Sequence, residues 1–442
     1  EVVILHLFLT VCLAYWRGQR TINLNKHMTE GMRFRNKLAY DLIRGIPQMV
    51  GLRTQFVHLY VKDNTEEPGG KFEDYGIYTQ VEQLNKTALK SHGLDSNGQL
   101  YKINSFEFYR YEDIIKKEDD AGYDKTAFEK MLEIKGDSDH TKLIDMLTDL
   151  NDYSIGIEDV LKEHFDEENI VYWMAFQILM GNVDTQNRNV YLYSPLNSDI
   201  WYFIAWDNDG CLMRPEYELR NFSDQNSWEK GISNYWGNIL FQRCLKSRSF
   251  REKLNDAILD LREYLNKDML TSKIESYKNV LKPYLYLMPD AEYEPLTSEQ
   301  YDQIAASLPD EIEKNYQLYL ESLETPMPFY IGVPTIDGDK LKFNWDVSYD
   351  LDAEDITYSV EVAGDYLFRD VIYQNTTLTV PEAEMDLPKA GQYFVRVRAT
   401  NTSGKTQDAF DYYVTDEGKY YGMRCFYITE DSTVEEDDYE EG

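Results

Sequence analysis

The sequence predicts an α+β chain: a two-lobed domain of helices and strands, followed by an all-β sandwich. Three observations carry that expectation. Apolar residues recur at three- to four-residue spacing through 228–323, as in packed helices. Between Val190 and Ala205 two strand-like runs flank a turn. After Thr325-Pro326-Met327-Pro328 the pattern changes to alternation at period two. A chain of 442 residues is long enough for two or three domains with sizeable cores.

Residues 1–30 form a segment of open assignment. Val2 to Trp16 is nearly all apolar apart from His6 and Thr10. The run is short for a bilayer span, so no stable membrane span is expected. It reads either as a signal-peptide core or as a buried strand or helix of the first lobe. The first domain is drawn over 31–325. Met32–Arg44 reads as a helix, with Met32, Leu38 and Leu42 interleaved with basic residues. Strands follow to about residue 105, with Gly69-Gly70 in a connecting turn. Residues 106–165 read as charged helices. Asp166–Met180 reads as a buried helix, with Asp166 as N-cap, Glu167 and Glu168 in the first turn, and Gly181 as its stop.

Beyond the Pro-rich break, residues 326–430 are expected to form the sandwich. Leu341–Trp345, Tyr358–Val362 and Tyr393–Ala399 supply alternating strands. A Trp on an early strand and a Tyr opening a late one suit two packed sheets. The segment resembles an immunoglobulin/fibronectin type III module, with Tyr393 as its corner tyrosine. That likeness implies binding or spacing, with cell-surface or spore-coat partners, rather than chemistry. Residues 431–442 read as an acidic disordered tail.

Composition narrows the function. A formal net charge of -34 makes nucleic acid a poor partner. It makes a basic protein a reasonable one, against the alternative of a merely solvated acidic surface. Cys12, Cys211, Cys244 and Cys425 are widely spaced, which excludes a zinc ribbon or a disulfide framework. A single bridge such as Cys211–Cys244 stays open.

Two segments carry chemistry. In Asn182-Val183-Asp184-Thr185-Gln186-Asn187-Arg188-Asn189, an Asp precedes an Asn by five residues. In Ala205-Trp206-Asp207-Asn208-Asp209-Gly210, a strand ends on an acidic pair. A calcium loop would need an acidic ligand where Ala205 stands. No Gly-x-x-x-x-Gly-Lys-Ser/Thr occurs, which disfavours a P-loop. Carboxylate, amide and carboxylate around a hairpin instead match the order of parts in protein kinases: a hydroxyl-orienting Asp, a metal-binding Asn, two strands, a metal-binding Asp.

The chain resembles the CotH-type spore-coat protein kinases, a family of atypical kinases, over roughly residues 30 to 325. The pieces occur in order. They are Arg33–Leu42, Phe56–Val61, Tyr75–Gln83, Gly98-Gln99-Leu100-Tyr101-Lys102, Asp184 with Asn189, Leu192-Tyr193, and Trp206-Asp207 with Asp209. No His-Arg pair precedes Asp184, no Phe-Gly follows Asp207, and residues before about 30 fit poorly. The resemblance implies a two-lobed atypical protein-kinase-like domain using ATP and Mg²⁺ or Mn²⁺ to phosphorylate Ser/Thr of a basic, Ser-rich protein. It implies Asp184 as the catalytic residue and Asn189, Asp207 and Asp209 as metal ligands. Lys102 would contact the phosphates, with Glu82 as its partner if their strands are neighbours. Trp201 would border the nucleotide, against the reading of a core Trp. The implied location is extracytoplasmic. The rival function is a non-catalytic secreted or surface binding protein on the same fold.

Overall fold

In a computed structural model of the chain, the described residues are 3–8, 16, 18–62, 70–220, 228–416 and 418–436. Cys12, Gly69 and the tail beyond 436 lie outside them. The chain divides into two compact units, Glu1–Arg220 with Asn238–Tyr316, and Asn221–Gly237 with Gln317–Gly442. Among the described residues no helix is long and apolar enough to cross a membrane.

The first unit opens with β1 (Val3–Phe8) and β2 (Ile22–Asn25), then α1 (Arg35–Ile43), β3 (Thr54–Lys62) and β4 (Glu73–Glu82). These strands form one sheet in the order β1-β3-β4-β2, with β1 parallel to β3. For residues 3–8 the apolar N-terminal run is therefore an edge strand. A short α2 (Lys86–Ser91) is capped by Asn85 and leads to β5 (Gln99–Ile103).

Residues 106–124, expected to be helical, form no regular helix. Phe108 and Tyr111 have φ of 65° and 35°, which no helix accommodates. The segment is instead pinned in irregular form, with Phe106 N–H donating to the Asn187 carbonyl at 2.8 Å. Helices resume at α3 (Lys125–Met131), followed by β6 (Leu132–Ile134), α4 (Thr141–Asn151) and α5 (Ile157–His164).

Helix α6 (Glu167–Leu179) is buried along nearly its whole length, as its broad apolar spacing requires. The Asp166 carboxylate caps it by accepting the Asn169 N–H at 3.0 Å. Gly181, at φ 59°, follows its end. Then come β7 (Val190–Ser194) and β8 (Tyr202–Ala205), the expected hairpin. The second sheet runs β6-β5-β7-β8. One of its faces, with Leu100, Tyr191, Tyr193 and Ile204, packs on Tyr40 of α1 and Val81 of β4. The other carries Tyr101, Trp201 and Phe203 toward α6, where Trp173 meets Phe203 edge-on at 5.1 Å. Helices α7 (Arg214–Leu219), α8 (Ile239–Lys246), α9 (Arg248–Tyr264), α10 (Lys267–Leu285), α11 (Ser298–Ser307) and α12 (Glu311–Leu323) complete the helical lobe. Helix α12 crosses the division between units at Tyr316 and Gln317.

The second unit is an all-β sandwich with the segment 228–237 added to it. Strands β9 (Thr335–Asp337), β10 (Lys340–Asn344) and β13 (Glu382–Asp386) make a three-stranded sheet with β10 central. Strands β11 (Ile356–Ala363), β12 (Val371–Leu378), β14 (Gly391–Asn401), β18 (Met423–Ile428) and β19 (Val434–Glu436) make the larger one, with β15 (Thr406–Asp408) on β14, while β16 (Tyr412–Thr415) and β17 (Gly418–Tyr421) pair with each other. Inward positions of both sheets meet in one core: Leu341, Phe343 and Trp345 against Tyr358, Val360, Val395, Val397 and Phe426. The Tyr393 hydroxyl donates to the Lys389 carbonyl, four residues upstream, at 2.9 Å.

Candidate active site

Strands β7 and β8 deliver two loops to one end of their sheet. Val190 pairs with Ala205, so the residue before β7 must lie beside the residue after β8. Trp206 N–H accordingly donates to the Asn189 carbonyl at 3.1 Å. Gln177 of α6 ties the loops together, donating to Asn208 Oδ1 at 3.3 Å and accepting from Asn182 Nδ2 at 3.0 Å. A Cβ on Gly210 would stand 2.6 Å from Asn182 Oδ1, so any side chain here would push the Asn182 amide from its place.

Helix α1 holds the second loop from the other side. Tyr40 Oη accepts the Asp207 N–H and Asn36 Oδ1 accepts the Asn208 N–H, both at 3.1 Å. Behind it, the fully buried Arg35 donates from Nη1 to Glu30 at 2.9 Å and to Glu216 of α7 at 2.6 Å. Asn189 and Asp207 both have left-handed backbones, with φ of 59° and 49°. Asn and Asp tolerate that region best after glycine, yet it is strained, and such strain collects at functional sites.

The electrostatics are those of an under-compensated acidic recess. Asp207 is pushed up to about 6, first by burial and then by the charge of Asp209, with Asp184 adding to it. The charge of Lys102 opposes the shift. Among the described residues no cation lies within 4 Å of the Asp207 carboxylate. Asp184 is likewise raised, by desolvation first and by Asp209, against the pull of Arg188. Its Oδ2 accepts from Asn189 Nδ2 at 2.8 Å. Arg188 lies 3.3 Å from Oδ1 with both side chains about half exposed, so this pair is weak and separable.

An oxygen-only donor set of this charge fits a hard divalent cation. Among the described residues no three carboxylate, His or Cys side chains already converge as a cage. Mg²⁺ takes one or two carboxylates and completes its shell with water and phosphate oxygens, so Asp207 and Asp209 could serve it without such a cage.

Asp184, Asn189, Asp207 and Asp209 thus come together as expected from the sequence, and Lys102 joins them through its charge on Asp207. Lys102 sits mid-strand on β5, with Glu133 of β6 directly opposite. Glu133 pairs with Lys135 instead, and Glu129 with Lys125 at 3.9 Å. No carboxylate lies within 4 Å of Lys102 among the described residues.

Two expectations are corrected. Glu82 is not the partner of Lys102: β4 and β5 belong to different sheets. Glu82 is buried against Arg53 at 2.6 Å and His92 at 2.8 Å, a structural anchor. Trp201 does not border the carboxylates. It is wholly buried on the opposite face of the sheet, 6.0 Å from the Tyr101 ring. The left-handed backbone at Asp207, φ 49°, takes the acidic pair out of the alternation of the strand that follows Trp201. The sequence reading also missed His27, whose Nδ1 lies 3.4 Å from Asp209 Oδ2. Asn36 and Tyr40, polar residues one turn apart on an apolar helix face, were the legible hint that α1 serves the site.

Comparison with known proteins places the chain in a family. A family model described as CotH kinase protein matches residues 13–319, so the match begins well before residue 30. Inner spore coat protein H of Bacillus subtilis (strain 168) is 23% identical over 292 residues, covering 65% of this chain and 74% of that protein. A crystal structure of the Helicobacter pylori proinflammatory kinase CtkA aligns over 69% of this chain and 90% of that one, at 12% identity. Its TM-score of 0.33 is too low to carry an argument about fold.

Proposed function

Because the chain belongs to the CotH kinase protein family, we propose that it transfers the γ-phosphoryl group of ATP to Ser or Thr of a basic, Ser-rich protein. The observation that supports this most directly is the joining of Asp184, Asn189, Asp207 and Asp209 at one end of a hairpin, with the charge of Lys102 acting on Asp207. Asp184 orients the acceptor hydroxyl and takes its proton. Partial desolvation raises its basicity, Asn189 fixes Oδ2, and the weak pair with Arg188 leaves Oδ1 to be taken by the hydroxyl. Asn189, Asp207 and Asp209 would hold Mg²⁺ or Mn²⁺, which when bound neutralises charge on the phosphates. Lys102 supplies a point charge for the α- and β-phosphates.

The sandwich we assign to the fibronectin type III class. Its three-stranded sheet of first, second and fifth strands and the Tyr393–Lys389 bond support that. The printed name of the Bacillus relative, an inner spore coat protein, supports an extracytoplasmic place in a coat. That Lys102 has no carboxylate within 4 Å among the described residues favours one alternative, a non-catalytic secreted or surface binding protein on the same fold. Incubation with labelled ATP, Mg²⁺ or Mn²⁺ and a Lys/Ser-rich protein separates the two. Wild type should label the protein and Asp207→Asn should not. Labelling that survives Asp207→Asn would remove the site assignment.

A further inference from the structure

The segment Lys26–Arg33 joins β2 to α1 and passes directly over Asp209. Its contacts fix the proton on one imidazole. Asn36 Oδ1 is committed, since it accepts the Asn208 N–H at 3.1 Å. Asn36 Nδ2 therefore faces His27 Nε2, 3.3 Å away. An amide nitrogen only donates, so His27 Nε2 must accept. In the neutral ring the proton then sits on Nδ1, the atom 3.4 Å from Asp209 Oδ2.

The ring has little room to leave. His27 has a side chain 5% exposed and a left-handed backbone at φ 50°. Its neighbours hold that strain in place. Lys26 Nζ donates to the Tyr75 carbonyl at 2.6 Å and lies 3.2 Å from Asp290. At the far end Arg33, also left-handed, donates to the Tyr293 carbonyl at 2.8 Å. A strained residue persists only where its surroundings over-determine it.

We propose that His27 is a positioning residue: Asn36 holds it as the Nδ1–H tautomer, and it fixes the Asp209 carboxylate so that Asp207 and Asp209 present their oxygens to one divalent cation. This rests on the phosphoryl-transfer reading of the site. The 3.4 Å contact is a close approach rather than a formed hydrogen bond; groups behind a ligand set its direction, and their loss typically lowers metal affinity about 10- to 100-fold.

Two measurements test it. Nitrogen-15 NMR of histidine-labelled protein, free of metal and nucleotide and at neutral pH, should show His27 protonated on Nδ1. An Nε2–H ring would overturn the proposal whether or not the protein is a kinase. Calorimetric titration of Mn²⁺ in the presence of ADP then compares wild type with His27→Gln and His27→Met. Gln brings a donor, and Met matches its length without one. Affinity should fall about tenfold or more in His27→Met and stay within about threefold in His27→Gln. Equal affinity in all three overturns the proposal. So does an equal loss in both variants with an equal drop in melting temperature, which is what a purely structural residue would give. Asp207→Asn separates the levels. If it loses Mn²⁺ while the His27 variants keep it, only the positioning role fails; if it keeps Mn²⁺, the site reading fails and the proposal with it. Should neither His27 variant fold, the tautomer in the wild-type protein decides.

Discussion

Asp184 bears most of the catalytic assignment, and one substitution separates its two possible roles. A carboxylate that orients a hydroxyl acts in the transition state, so Asp184→Asn should lower kcat by about 10² or more while leaving ATP affinity nearly unchanged. A residue that merely supports the loop would lower the melting temperature and leave turnover per folded molecule intact; kcat, nucleotide affinity and melting on the one variant decide. Glu294 offers a test by pH. It is buried, 3.8 Å from Arg33, and pushed up to about 7, first by burial and further by Glu216 and Asp290. Its folded pKa exceeds its unfolded one, so the folded state binds the extra proton between about pH 4.5 and 7. The stability this proton confers is complete below that window and lost as pH rises through it. Glu294→Gln should therefore raise stability at pH 8 by roughly 1–3 kcal/mol and make little difference at pH 5. Melting curves with the same gap at both pH values would refute the shift. At this scale the sequence exposed the ligand types and their spacing. His27 was illegible because it stands far from Asp209 in the chain and no local pattern joins them.

Elements explain why some side chains were placed correctly and others were not. Helix α6 and the hairpin were legible to within a residue or two, because Asp166, Gly181 and the aromatic, apolar runs either side of a turn mark them by local chemistry. The stretch 106–124 was not, since its shape comes from the backbone bond to Asn187 and from two left-handed aromatic residues rather than from periodicity. Which strands are neighbours was equally hidden. The Glu82–Lys102 pairing required β4 beside β5, and long-range register leaves no trace in a single strand's pattern. Trp201 gives the matching prediction. As a core residue packed on Tyr101, its truncation in Trp201→Ala should destabilise the fold by about 3–5 kcal/mol. Nucleotide affinity of the folded protein should be unchanged. A selective loss of ATP binding at undiminished stability would return Trp201 to the site.

For the whole molecule, the composition change at Thr325-Pro326-Met327-Pro328 reported where the β pattern begins, but not what packs with it. The second compact unit takes in Asn221–Gly237 and the end of α12. Within it, Trp228 meets Phe410 edge-on at 5.1 Å, and Trp236 stacks on Tyr349 at 5.4 Å. Ile232 N–H donates to Ser322 Oγ at 3.1 Å. A linear boundary could not reveal this, because the partners of Trp228 and Trp236 follow more than 100 residues later. A chain cut after Thr325 keeps Lys102, Asp184, Asn189 and Asp207, all of the first unit, and should still bind ATP. It loses Tyr349 and Phe410, so two tryptophans are left bare on the segment 228–237. Large exposed aromatic surface promotes association. The truncated chain should therefore melt earlier than the full one and bind a hydrophobic dye, while ATP still shifts its melting temperature upward. Adding Trp228→Ser and Trp236→Ser to the cut chain should suppress the dye signal. If the cut chain binds no more dye than the full one, the segment does not depend on the sandwich. If it folds but no longer responds to ATP, nucleotide binding needs both units.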